Sequence, residues 1–179
     1  MVAKAVTTFW SHGYDGTTLD LLERATGVDR SSIYNSFGGK AGLYEQAASA
    51  YIQRGEEHLF VPLTEGEEGL ADIIAFLNLL EEIQLDDTYP LGCLIINDLA
   101  APANEDVTSR YLAAIDTGLK MAIERSNRTD GTDPRHNSSR RESLVAAIIG
   151  ANLTHRRDPT AAAKMMEGLR RVVETWTDS

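Results

Sequence analysis

The chain has 179 residues, 42% of them hydrophobic, with five prolines, one cysteine and a net charge of −10. That length suffices for one or two compact units with a full core. A single cysteine excludes an internal disulfide, and no apolar run reaches the roughly 20 residues that span a membrane, so a cytoplasmic location is expected.

The elements follow in chain order. Helix one is predicted over Val2–His12, burying Ala5, Val6 and Phe9, and no signal-peptide pattern precedes His12 and Gly13. Thr17 and Thr18 are cap-type residues ahead of an apolar stripe, Leu19, Leu22 and Ala25, which marks helix two over about residues 18–26. Gly27 stands where a tight turn needs positive φ. Asp29 is placed to cap helix three, over about residues 30–36, with Val28, Ile33 and Phe37 inward. Its other face carries Arg30, Ser31, Ser32, Tyr34 and Asn35, residue types that bind base edges and phosphate oxygens. Two short helices joined by a glycine turn, the second with such a face, form a helix-turn-helix pattern.

A fourth helix is expected from Lys40 through Tyr44, Ala47 and Tyr51 towards Phe60, and residues 61–69 read as a loop because Pro62 and two glycines interrupt the period. Residues 70–85 carry Ile73, Ile74, Leu77 and Leu80 at helical spacing, broken by Asp86–Pro90. The apolar run 91–97 could by itself be a strand. A long helix is predicted over 104–128, a polar mobile loop over 129–139, and two closing helices over about 141–155 and 160–176.

The pattern Ala5, Phe9, Gly13-Tyr14, Thr17-Thr18, Gly27-Val28, Ile33-Tyr34, Phe37 and Lys40 resembles the TetR/AcrR family of bacterial transcriptional regulators. The Phe9-Trp10 pair and the run Phe37-Gly38-Gly39-Lys40 are similar to its AcrR-like variant. The resemblance implies an all-α fold: a three-helix DNA-binding head, residues 1–45, on a larger helical body for ligand binding and dimerisation, residues 46–179. It implies a helix for 91–97 and assigns the fourth helix to transmitting ligand state. It also implies a basic arm before the position of Ala5. This sequence has four residues there, which lowers the expected affinity for DNA.

From the resemblance, Tyr34 and Lys40 contact phosphate, and an ammonium at a helix start suits that task. Thr17 and Thr18 cap helix two and are candidate phosphate contacts. Arg30, Ser31, Ser32 and Asn35 are the candidate base readers; arginine grips guanine and asparagine grips adenine through two hydrogen bonds. Arg30 can serve phosphate instead. Phe76, Leu80, Ile96, Asn97, Tyr111, Ile115 and Asn152 are the candidate lining of a cavity for an unknown small-molecule inducer, all residue types that equally form plain core. Leu144, Ile148, Met165, Leu169, Val172 and Trp176 are the candidate homodimer face.

The charge is unevenly spread. Residues 1–45 hold four basic and five acidic groups, residues 55–109 thirteen carboxylates with no Lys or Arg, and residues 110–179 twelve basic against nine acidic. The acid lies away from the reading helix, so it repels non-specific DNA without forbidding a specific site. It favours a cationic or neutral ligand, although a solvated face explains it equally. Cys93 sits in a run that packs inside, with no cation near it in sequence, and reads as core. His58, His136 and His155 lack metal-ligand spacing, and no cofactor or catalytic motif is present. His155 beside Arg156-Arg157 reads as a cationic helix end. These features predict a ligand-released repressor that binds double-stranded DNA at a near-palindromic operator. The alternative is a small-molecule-binding helical protein whose head no longer reads DNA.

Overall fold

A computed structural model describes residues 1–99 and 105–178. Every regular element among them is helical. Helix α1 (Val2–Gly16) is regular to His12, where Gly13 turns the chain at φ 72°, ψ 168°. Thr18 then caps α2 (Leu19–Thr26), its Oγ1 accepting the Leu21 N–H at 3.2 Å. Gly27 closes α2 in the left-handed conformation, φ 76°, as the turn requires. Asp29 caps α3 (Arg30–Phe37) by accepting the Ser32 N–H at 2.7 Å. Helix α4 (Lys40–Arg54) is prolonged by a π turn (Gly55–Leu59) up to Phe60, as far as the apolar spacing reached.

The expected loop 61–69 instead begins with α5 (Val61–Glu65). Pro62 occupies its first turn, where the missing N–H costs nothing and the fixed φ favours a helix, so this proline starts an element rather than ending one. Helix α6 (Leu70–Leu85) follows, and its Asp72 turns back to accept the Glu68 and Gly69 N–H groups, both at 2.9 Å. The run 91–97 resolves as an extended Cys93 leading into α7 (Leu94–Asn97), so the strand alternative falls. Helix α8 (Glu105–Thr129) is the long one, and its predicted start at residue 104 lies outside the described residues.

The stretch 129–139 is shorter and better tied than a mobile loop. Thr132 is buried, its Oγ1 lying 2.8 Å from Ser126 Oγ and donating to Asn127 Oδ1 at 2.9 Å. A 3-10 turn (Pro134–His136) leads directly into α9 (Asn137–His155). The last elements are α10 (Pro159–Glu174), capped by Asp158, and a final 3-10 turn (Thr175–Asp178) carrying Trp176.

Helix α1 packs on α4 and α7, so the head is braced by the body as well as by α2. Helices α9 and α10 form a hairpin, with α10 lying on α6 and α9 on α8. Arg125 joins α8 to the α5–α6 corner: its Nε meets Asp72 Oδ2 at 2.8 Å, and its Nη2 donates to the carbonyls of Pro62 and Leu63. Both charged side chains are nearly buried, which is tolerable because Asp72 Oδ2 also accepts two backbone N–H groups and Arg125 Nη2 meets two carbonyls. No helix among the described residues is long and apolar enough to cross a membrane.

Candidate DNA interface

Capping and turn chemistry aim the outer face of α3 at solvent. Ser31, Tyr34 and Asn35 are exposed and Ser32 is half-buried, while Ile33 locks the helix into the core. The ring of Tyr34 lies over Gly39 so closely that a Cβ there would meet Tyr34 Cε1 at 3.0 Å. The phenol is thereby held at the start of α4, whose N-terminus has no side-chain cap. Unpaired helix-start N–H groups beside a phenol suit a phosphate oxygen.

Three of the sequence candidates are placed differently from their expected roles. Thr17 is fully buried, and its hydroxyl donates back to the Gly13 carbonyl at 2.7 Å, so Thr18 alone is left at the surface as cap and candidate contact. Lys40 folds inward. Its Nζ donates to the carbonyls of Tyr14 (2.8 Å) and Thr17 (2.9 Å) and stands 4.2 Å from the centre of the Tyr14 ring. The ammonium thus closes the α1–α2 corner with two of its three protons, leaving one for phosphate. Arg30 is tied to α2: Glu23 Oε1 accepts its backbone N–H at 2.7 Å, Glu23 Oε2 accepts its Nε at 3.1 Å, and Asp20 pairs with its Nη2. The capping carboxyl of Asp29 is held below its ordinary pKa by the Ser31 hydroxyl and the Ser32 N–H, so it remains an anion at the start of α3.

A second cluster joins head to body, and sequence reasoning missed most of it. Trp10 Nε1 donates to the Gly92 carbonyl at 3.2 Å, and the Gly92 N–H donates to His155 Nδ1 at 3.0 Å. The Tyr14 N–H donates to Asp98 Oδ2 at 2.9 Å. Burial raises the Asp98 carboxyl above its ordinary range, with the Tyr14 N–H pulling the other way. Residue 98 follows an apolar run and gives no sequence signal. His155 is not the cationic helix end that its sequence neighbours suggest: it is buried, desolvation lowers its pKa, and its ring accepts a hydrogen bond as a neutral base. Cys93 is buried as expected, with the Tyr51 hydroxyl 3.3 Å from its sulfur.

None of the seven candidate pocket residues lines the open groove formed among the described residues. Phe76, Leu80, Ile96, Tyr111, Ile115 and Asn152 are packed in the core, and Asn97 turns its amide to the Leu91 carbonyl at 3.0 Å. Helical spacing identifies inward-facing side chains, and a close-packed interior leaves few of these beside empty space. That groove, of about 730 Å³, lies between α4 with its π turn, α5 and α8. Ile52, Phe60 and Ala114 form its apolar part, and Gln53, Glu56, Glu65 and Arg110 its polar part. Arg110 crosses from α8 to Ser49 on α4 at 3.1 Å.

The candidate dimer face also divides. Leu144, Ile148 and Trp176 are buried within the chain's own core, so they cannot form an outer face. Met165 and Val172 are exposed and Leu169 is half-buried, and Leu153 on α9, which the sequence reading did not select, is exposed beside them. The stripe continues along α9 through the half-buried Val145 and Ile149.

A capped helix-turn-helix whose second helix presents a polar face to solvent, braced on an all-α body, defines a DNA-binding regulatory protein. Residues 2–47 match the family model for bacterial regulatory proteins, tetR family. The chain is 28% identical over 186 residues to the HTH-type transcriptional repressor ComR of Escherichia coli, covering 98% of this chain and 86% of that protein. It is also 38% identical over 47 residues, a quarter of each chain, to IcaR, a negative transcriptional regulator of the biofilm operon in Staphylococcus aureus. In fold it is similar to a TetR transcriptional regulator from Chloroflexus aurantiacus (TM-score 0.81, 23% identity, 99% and 92% of the two chains). It is also similar in fold to the regulator CifR, a cysteine mutant complexed with 26-base-pair operator DNA (TM-score 0.79, 21% identity, 98% and 94% covered). Residues 2–47 thus match the DNA-binding head of the tetR family, and the whole chain shares the fold of the TetR regulators it resembles.

Proposed function

We propose that the protein is a repressor that binds a near-palindromic operator as a homodimer and is released by a small molecule. The observation carrying the DNA part is the exposed face of α3, with Tyr34 held against the uncapped start of α4. In this reading residues 1–45 form the head; Ser31, Ser32 and Asn35 face base edges, and Tyr34, Thr18 and the third proton of Lys40 face phosphate. Asparagine is a residue type that pairs with adenine through two hydrogen bonds, and Asn35 is exposed on this face. A twofold dimer sets two such helices in successive major grooves. The unpartnered stripe of Leu153, Met165, Leu169 and Val172 supports α9 and α10 as the dimer face.

Within the body, residues 46–179, the groove beside α4 supports the ligand reading. An organic molecule with an apolar body and a polar end suits it, the body on Ile52 and Phe60 and the end on Arg110 or Glu56. Helix α4 runs from that groove to Lys40, so a ligand that prefers one tilt of α4 shifts the heads. The joint through Trp10, Gly92 and Asp98 ties α1 to α7 and carries the same displacement. The test is selection of genomic fragments with purified protein, followed by titration of the enriched sequence. A palindromic motif whose binding falls at least tenfold in Tyr34→Phe and Asn35→Ala supports the reading. Absence of enrichment at low salt refutes it and leaves a helical ligand-binding protein.

A further inference from the structure

The reading helix carries one cation, Arg30, and that cation is already occupied. Glu23 binds both ends of the residue: one carboxylate oxygen takes the Arg30 backbone N–H and the other takes Nε. Asp20, one turn earlier on α2, pairs with Nη2. An isolated exposed ion pair contributes little, largely because two flexible side chains must be ordered to form it. Here the backbone contact already fixes Glu23, so the guanidinium meets an acceptor in place, and Asp20 closes the other edge. The rest of the head adds little free positive charge. Lys40 is turned inward on two carbonyls, which leaves Lys4 and Arg24 as the exposed cations of residues 1–45 not drawn into such contacts. The first turn of α3 is closed to phosphate as well, because the Arg30 and Ser32 N–H groups are taken by Glu23 and Asp29.

We propose that Asp20 and Glu23 are specificity-determining positioning residues: they sequester Arg30 from the phosphate backbone, so that α3 discriminates sequences with its neutral side chains. Phosphate contacts supply the sequence-independent part of DNA affinity. A reading helix that withholds its own cation therefore lowers binding to every sequence, and the share of affinity carried by base edges rises. The proposal rests on the DNA-binding reading above, and its experiment separates the two.

Binding to a random-sequence duplex and to the selected operator is titrated across a salt series for the wild type, Arg30→Ala, Asp20→Asn/Glu23→Gln, and that pair combined with Arg30→Ala. Glutamine at position 23 keeps an oxygen for the Arg30 N–H, and far-UV circular dichroism with a thermal melt checks that the head stays folded. Each phosphate neutralised steepens the slope of log K against log salt by about 0.9. The expected result is a slope unchanged in Arg30→Ala. The Asp20→Asn/Glu23→Gln variant should be steeper by about one, binding random DNA at least about tenfold more tightly at low salt, and that gain should disappear when Arg30 is also removed. A slope that falls by about one in Arg30→Ala alone, or a gain that persists in the triple variant, overturns the proposal. A wild type silent on all DNA beside a double variant that binds through Arg30 would support the sequestration and refute the repressor reading. Silence in both refutes both.

Discussion

Gly13 is the hinge between α1 and the reading unit, and Gly13→Ala tests how tightly the head is fixed to the body. Its backbone at φ 72°, ψ 168° lies in a region that only glycine adopts freely, and placing alanine there costs about 1–3 kcal/mol. The new Cβ would stand 3.0 Å from Asp98 Oδ1, tighter than ordinary contact, so the carboxylate must shift away from the Tyr14 N–H. A hydrogen bond to a charged group contributes about 1.5–3 kcal/mol, and we keep about 1 kcal/mol because Asp98 is only half-buried and the bond is strained rather than abolished. The sum is a loss of about 2–4 kcal/mol, or about 5–15 °C in melting temperature for a chain of this size. Denaturant unfolding followed by circular dichroism measures it, with Gly16→Ala as the control, since a Cβ there meets nothing closer than 3.8 Å. Repeating Gly13→Ala in an Asp98→Ala background removes the contact and leaves the backbone cost alone. If Gly13→Ala unfolds within about 0.5 kcal/mol of the control, less than the smallest backbone cost, the left-handed hinge is not a structural requirement and the reasoning fails.

Three further outcomes are expected. Asp72→Ala leaves the Arg125 guanidinium nearly buried without its carboxylate and the α6 N-terminus uncapped, a loss of about 3–5 kcal/mol by denaturant unfolding; a loss under about 1 kcal/mol would show that the pair is dispensable. Burial depresses the His155 pKa, so below the unfolded value of 6.5 the unfolded chain binds the extra proton first. Stability is then constant above about pH 7 and falls as pH drops through the lowered folded pKa. Thermal melts across that range should show the decline, and His155→Asn, which keeps an acceptor for the Gly92 N–H, should flatten it; an identical decline in the variant would place the proton elsewhere. Val172→Glu sets like charges across the proposed twofold at a side chain 53% exposed within the chain, so sedimentation should give a folded monomer, and a persisting dimer would exclude this face.

Local chemistry was legible in the sequence. Thr18, Gly27 and Asp29 act within three or four residues of their own positions, so cap, turn and cap could be read in order, and α2 and α3 fall where those residues place them. The end of regular helix at Gly13 follows from the same cause. The all-α class and the resemblance to the TetR family rest on this short-range pattern. Pro62 misled because one residue type both ends helices and starts them, and its position relative to the first turn decides which.

What required the tertiary structure was the destination of each side chain. Helical spacing marks the inward face, but it does not tell whether that face meets a neighbouring helix, a cavity or a second chain. Ile148 and Val172 lie on the same hairpin and look equivalent in sequence, yet one is buried in the chain's own core and the other is left at its surface. Lys40 and Arg30 read as free cations, because their partners at Tyr14, Thr17, Asp20 and Glu23 are set by how four helices meet. His155 became a buried acceptor through a contact with Gly92, 63 positions away. Short-range hydrogen bonding fixed the helices, and long-range packing decided which polar groups remain free to meet DNA.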